Sequence, residues 1–340
     1  MNAEARTLRR SAISNWVQIL RTCSCEEGQA LDPFGRLLVI TRACVQPMTI
    51  ISVAIAGLLA ARASTFDPLL FALAAFGSIV AHASNNMIND LFDLTEGLDE
   101  SAYPRSQYAP HPVLAGLVTQ KGLVRAILIA NVVDALIMVV LFIERGWPIL
   151  AFAAVGLFIS VFYVAPPLRF KSHGLGEPSV FLIWGPVMVG GTYFAATGEL
   201  PSTVLWASVP YALLVTSVLM GKHVDKEPWD RQAKVATLPV LLGEARGRKA
   251  TVGLLIGYYA SIGALVATGV LPIWTLLVLG AIPVLRKTLR TYARPKPATP
   301  PARFPVWPLW YGPWAFVHSE RAGTLFLVGL FLGAVWPWTL

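Results

Sequence analysis

The sequence predicts an all-α, polytopic membrane protein with about nine transmembrane helices, and three observations carry that prediction. The 340 residues are 55% hydrophobic and only 14% charged, with mean hydropathy +0.61, against about 25% charged in ordinary soluble domains. Most of a globular surface must face water, so a soluble chain of this length could not hide so much apolar side chain. Apolar stretches long enough to cross about 30 Å of hydrocarbon recur from residue 46 onward. They are continuous rather than alternating, which favours helices over barrel strands. A disordered chain, a secreted disulfide scaffold and a simple cytosolic enzyme are excluded.

The elements follow in order. Residues 1–45 read as a cytoplasmic N-terminal arm. Arg6, Arg9 and Arg10 precede a mixed stretch that lacks a clean apolar core and a small-residue cleavage site. It reads as an amphipathic surface helix or a disordered arm rather than a signal peptide. Cys23, Cys25 and Cys44 read as structural or incidental. Cys23 and Cys25 are too close for an ordinary bridge, and no further Cys or His pair completes a zinc site. Residues 46–340 form one transmembrane domain, with spans at about 47–63, 69–89, 123–142, 147–165, 177–197, 203–221, 250–268, 271–286 and 322–339. With the N-terminus inside, 25 of the 27 Lys and Arg residues fall on the cytoplasmic side, leaving only Arg62 and Arg145 outside. Membrane orientation therefore accounts for the net charge of +8, and no nucleic-acid partner is needed. The C-terminus is expected on the far side. The long, charged loops are all cytoplasmic, so the working face is too.

The acidic residues gather at two cytoplasmic helix ends. One is the run from Asn85 through Asn86, Asn89, Asp90, Asp93 and Glu96 to Asp99; the other is Lys222-His223-Val224-Asp225-Lys226-Glu227-Pro228-Trp229-Asp230. Asn89 and Asp93 stand at i and i+4, on one face of a continuing helix. Carboxylate and amide oxygens without His or Cys favour a hard cation, and Mg2+ is the usual one where phosphates share the site. Lys222, Lys226, Arg105, Arg169 and Lys171 lie on the same side of the membrane. Acids and bases around one mouth suit a Mg2+–diphosphate group.

These residues resemble the UbiA superfamily of intramembrane prenyltransferases, from Arg42 to the last helix. Asn89-Asp90-Leu91-Phe92-Asp93, with Gly97 and Asp99 following, is similar to the first family motif in the form found in the branch making menaquinone precursors. The stretch Tyr163-Val164-Ala165-Pro166-Pro167-Leu168-Arg169-Phe170-Lys171, then Gly174–Glu177 and Trp184-Gly185-Pro186, resembles the menaquinone-type enzymes. So does Thr237–Gly243 after the second acidic run. The second family motif departs from the pattern. Asp225 stands at its first acid, Trp229 at its second, and Asp230 one residue late. Residues i and i+5 diverge on a regular helix, so Asp230 can join Asp225 only if Pro228 breaks the backbone; Glu227 is the alternative.

The resemblance implies a helical bundle around a central cavity that opens sideways to lipid for an isoprenoid tail. It implies Mg2+ held by Asn89, Asp90, Asp93, Asp99, Asp225 and Glu227 or Asp230, and a diphosphate neutralised by Arg42, Arg169, Lys171, Lys222 and Arg105, with Asn86 beside them. Asp93, Asp225, Lys171, Arg105 and Tyr163 are the expected catalytic set. The implied activity is transfer of a polyprenyl group from polyprenyl diphosphate to an aromatic acceptor resembling 1,4-dihydroxy-2-naphthoate, in the cytoplasmic membrane. A terpene cyclase or a lipid-acceptor transferase is the alternative within the family. A secondary transporter or a non-catalytic isoprenoid-binding protein is the alternative outside it. Asp134, mid-helix beside Asn131, and His82, His111, His173 and His223 are further candidates, because ionisable groups inside a membrane protein are expensive to keep.

Overall fold

The computed structural model describes residues 12–25, 31–95, 109–302, 304 and 306–337, and among them it is helical throughout, with no strand. The N-terminal region forms α1 (Ala12–Thr22) and α2 (Pro33–Ile40), the latter capped by the Asp32 carboxylate on the Gly35 amide. Ile19, Leu31, Leu38 and Val39 bury together between them. The indole of Trp16 donates to the same Asp32 carboxylate at 3.0 Å. The outer side of α1 exposes Ile13, Val17 and Leu20. A disulfide joins Cys23 to Cys44 and leaves Cys25 half-buried with a free thiol, which burial pushes above its ordinary pKa.

The membrane domain follows as α3 (Pro47–Ala60), α4 (Pro68–Thr95), α5 (Gln120–Arg145) and α6 (Trp147–Phe162). Next come α7 (Gly176–Leu182) and α8 (Met188–Thr197), joined through a π turn at Ile183–Val187. The chain continues as α9 (Ser202–Gln232), α10 (Leu238–Leu242), α11 (Glu244–Ala267), α12 (Ile282–Tyr292) and α13 (Tyr311–Val335). Among the described residues six helical segments are long and apolar enough to cross a membrane: α4, α5, the α7–α8 unit, α9, α11 and α13. Every predicted span therefore coincides with helix, but the expected count of nine is not reached on this measure. α3 and α6 are apolar but, at 14 and 16 residues, rise only about 21–24 Å. The eighth span, placed at 271–286, is a 3-10 helix over Ile273–Ala281, after which α12 starts afresh with Pro283 in its first turn. Proline has no amide to continue the preceding ladder.

α9 is the central post, packing on α11, α13, α7, α8 and α3, and about two thirds of its membrane window is buried. Tyr211, Leu214, Leu255, Tyr258, Ile262 and Phe326 close the core around it. α13 crosses the 273–281 segment so tightly that a Cβ on Gly329 would stand 2.6 Å from the Trp274 carbonyl. α5 is the opposite case. It packs on α4, but only 6% of its membrane window is buried, so most of its surface faces lipid.

Three helices differ most in extent from the sequence expectation, and each difference shapes the site. α13 begins at Tyr311 and not near 322, so residues expected in a loop form its first turns. α4 runs on to Thr95, beyond the predicted end at 89, so Asn89 and Asp93 share one helix. α9 passes through Pro228 to Gln232 without a break. The backbone departure that would have brought Asp230 beside Asp225 is therefore absent. Packing on both flanks holds the helix despite the missing amide.

Candidate active site

A cavity of about 800 Å³ runs between α4, α5, α6, α8 and α9. Its inner end is apolar, walled by Met138, Leu141, Ile149, Phe152, Gly156 and Ala195. Its mouth is polar, where Arg42, Asn86, Asn89, Asp93, Tyr163, Lys171, Lys222, His223 and Lys226 meet. The α4 wall is a stripe at helical spacing, His82, Asn85, Asn86, Asn89 and Asp93, and the α9 wall is another, Val215, Val218, Leu219, Lys222, His223 and Lys226.

Asp93 is buried and accepts from the Lys171 ammonium at 2.9 and 3.0 Å. Lys171 is held there by the return loop after α6, whose backbone closes with Lys171 N–H donating to the Tyr163 carbonyl at 2.9 Å. Lys226 and Arg42 also reach Asp93 electrostatically. One turn before Asp93, the Asn89 side-chain oxygen is buried without a hydrogen-bond partner. Asp90 points away from the cavity wall, fully buried and paired with Arg42. His111 donates from Nε2 to the Asp90 carbonyl at 3.1 Å while its Nδ1 accepts from Val113 N–H. Arg42 occupies the left-handed region at φ 51°, sparsely used by non-glycine residues, and Asn86 steadies the preceding turn by donating to the Thr41 carbonyl at 3.1 Å.

The second acidic segment is arranged differently. Asp225 accepts from the amides of Tyr311 at 2.9 Å and Gly312 at 2.8 Å, capping the first turn of α13. Glu227 pairs with Arg231. Asp230, fully buried, meets Lys226 Nζ at 3.5 Å. None of the three lines the cavity, whereas Lys222, His223 and Lys226 from the same helix do. Trp229, in place of the family acid, lies under the Lys296 ammonium at 5.5 Å, and Trp307 flanks the same ammonium at 4.8 Å. Burial pulls the Lys296 pKa below the ordinary lysine value, with Asp225 and Glu244 opposing. Arg169 lies in the Lys171 loop but off the cavity wall. His173 is exposed beside it, its Nδ1 against the Arg169 carbonyl. Asp99 and Arg105 lie outside the described residues.

Several candidates of the sequence argument find partners that it did not name. His223 Nδ1 sits 2.7 Å from Glu177, both buried. Asn85 donates to the Ser160 hydroxyl at 2.9 Å, and Asn131 to that of Ser84 at 2.9 Å. Asp134 lines the cavity with one oxygen buried and unpartnered, and His82 bonds Thr49 at 2.7 Å. The sequence did hold one usable signal, since Lys222 and Lys226 stand at i and i+4 and so share a face.

Metal capacity differs between the two segments. Among the described residues no three His, Cys, Asp or Glu side chains converge on one point. Asn89 and Asp93 nevertheless offer two oxygen donors one turn apart on the cavity wall, one of them unpartnered. That fits a single Mg2+, which commonly takes one or two protein ligands and completes its shell with water and phosphate oxygens. The second segment offers the cavity no carboxylate, because none of its three acids lines the wall and Asp225 and Glu227 are bonded elsewhere.

Comparison with known proteins agrees with this architecture. The family model described as "UbiA prenyltransferase family" matches residues 50–319. The UbiA prenyltransferase domain-containing protein 1 of Dictyostelium discoideum is 24% identical over 247 residues, covering 70% of this chain and 74% of that one. Its Drosophila melanogaster homolog is 25% identical over 198 residues, covering 58% and 54%, so the chain spans about half that relative's length. The 1,4-dihydroxy-2-naphthoate octaprenyltransferase of Escherichia coli K12 is 26% identical over 235 residues, covering 67% and 75%. The structure of a UbiA homolog from Archaeoglobus fulgidus bound to DMAPP and Mg2+ superposes with TM-score 0.57 at 15% identity, covering 86% of this chain and 99% of that one. At that identity the likeness is one of fold.

Proposed function

The chain belongs to the UbiA prenyltransferase family, and from that premise we propose that it moves a polyprenyl group from polyprenyl diphosphate to an aromatic acceptor resembling 1,4-dihydroxy-2-naphthoate, as an integral membrane enzyme using Mg2+. The observation that carries the proposal is the division of one cavity into a cationic, oxygen-bearing mouth and an apolar interior. A diphosphate with a long hydrocarbon tail needs both.

In this reading Asn89 and Asp93 hold the ion, which supplies positive charge to the leaving diphosphate when bound. Lys171 holds the Asp93 carboxylate in place, and with Lys222, Lys226 and Arg42 it stabilises the charge that grows on the diphosphate as the allylic C–O bond breaks. Asp90 fixes Arg42 in place. Tyr163 lines the same cavity, and a phenol there suits a phosphate oxygen. The electron pair of the broken bond leaves with the diphosphate, and the allylic carbon is left electron-poor. The apolar walls formed by α5, α6 and α8 keep water from it until an aromatic carbon bonds to it and the displaced ring substituent departs. Lys/Arg sorting supports a mouth on the cytoplasmic face of the cytoplasmic membrane. The naphthoate acceptor is supported by the Tyr163–Lys171 and Gly174–Glu177 stretches and by the named activity of the E. coli relative.

The test uses membranes from expressing cells, radiolabelled polyprenyl diphosphate, and 1,4-dihydroxy-2-naphthoate within a panel of phenolic and glycerol acceptors. Labelled lipid product from the naphthoate, lost in EDTA and in Asp93→Ala, is the expected result. Product from a different acceptor, or diphosphate release indifferent to any acceptor, would overturn the acceptor assignment.

A further inference from the structure

The second acidic segment presents lysine, not carboxylate, to the cavity. Asp225 is turned to the α13 amides, Glu227 is paired with Arg231, and Asp230 lies against Lys226. A divalent ion bound at Asp230 would sit within a few ångströms of the Lys226 ammonium, and two cations at that separation repel strongly in a poorly screened site. Lys226 instead lines the mouth from α9, opposite the α4 wall that carries Asn89 and Asp93, and its charge is felt at Asp93.

We infer that this enzyme grips the diphosphate with one divalent ion, on Asn89 and Asp93, and that Lys226 is the cation on the facing wall where the second acidic segment would otherwise hold another ion. The inference rests on the diphosphate-binding reading of the cavity. An ammonium has three donors. Asp230 lies 3.5 Å from the Lys226 ammonium and acts as a positioning residue, while Lys226 lines the cavity mouth. α9 fixes both residues at i and i+4, which keeps the ammonium aimed without a loop.

The experiment uses the purified full chain in lipid nanodiscs, with farnesyl thiolodiphosphate as a slowly cleaved donor and Mn2+ as a paramagnetic reporter read by EPR. Wild type is expected to take one Mn2+ per chain in the presence of the analogue; two would overturn the inference. Lys226→Gln is expected to weaken analogue binding by about tenfold or more while the stoichiometry stays at one, and Lys226→Arg should keep most of the affinity. Because Lys226→Gln strands the buried Asp230 carboxylate, the double variant Lys226→Gln/Asp230→Asn is measured beside it. Unchanged analogue affinity in that folded double variant would also overturn the inference. Wild type that binds no analogue at any Mn2+ concentration would instead remove the diphosphate-site reading itself, a result distinct from a count of two.

Discussion

Asp225 and Asp93 are both buried acids near the end of a long helix, yet their partners give them different work. Asp93 faces a lysine across a cavity, whereas Asp225 caps a helix. Asp225→Ala is therefore expected to lower the unfolding free energy by about 1–3 kcal/mol, the cost of losing a charged acceptor for buried amides. The Mg2+ concentration giving half-maximal transfer should stay unchanged. Thermal unfolding in detergent and a Mg2+ titration of labelled product check the two halves, and a weakened Mg2+ response with unaltered stability would contradict the assignment. The Asn89 and Asp93 pairing was legible because i and i+4 define a helix face without tertiary knowledge. The use of Asp225 was not legible, since its partner amides lie 86 and 87 residues downstream and nothing local announces a cap supplied from another helix. The Cys23–Cys44 bridge was missed for a related reason, because it depends on how α1 folds back onto the turn before α3.

α9 and α13 meet where Gly312 faces Lys222. A Cβ at Gly312 would stand 3.1 Å from both the backbone nitrogen and the Cα of Lys222, and backbone does not yield as a flexible side chain would. Gly312→Val is expected to destabilise the protein by about 1–3 kcal/mol through overpacking. It should also reduce transfer activity, because the same contact sets where Lys222 enters the mouth and where Asp225 finds the α13 amides. Fluorescence-detected melting and initial rates measured on one preparation test this, and wild-type values in both would show that the crossing is loose. At this scale the span positions were readable from hydropathy, which reports what faces lipid. The 3-10 stretch at 273–281 and the unbroken run of α9 through Pro228 were not. Both follow from packing against neighbours, which apolar periodicity does not encode.

The bundle holds a cavity graded from charged to apolar, and the sequence indicated that division by gathering its acids and many of its bases near helix ends. How deep the apolar end reaches depends on which side chains plug it, and that needs the fold. Gly156 lies on the wall with no atom within 4 Å of the Cβ it lacks, so this position has room that a larger residue would fill. Gly156→Phe is expected to shift donor preference toward shorter prenyl chains, with turnover of the shortest accepted donor within about threefold of wild type. Competition between donors of graded length measures it, and an unshifted preference would show that tails lie elsewhere. α5 gives this geometry a further meaning. The helix turns most of its surface to lipid while Asn131, Asp134 and Met138 line the cavity, so a single thickness of helix separates the reaction chamber from the acyl chains. The donor's effective abundance is then a mole fraction in the bilayer, not a molarity in water. Diluting the membrane with inert lipid will slow this enzyme even when every aqueous concentration is held constant.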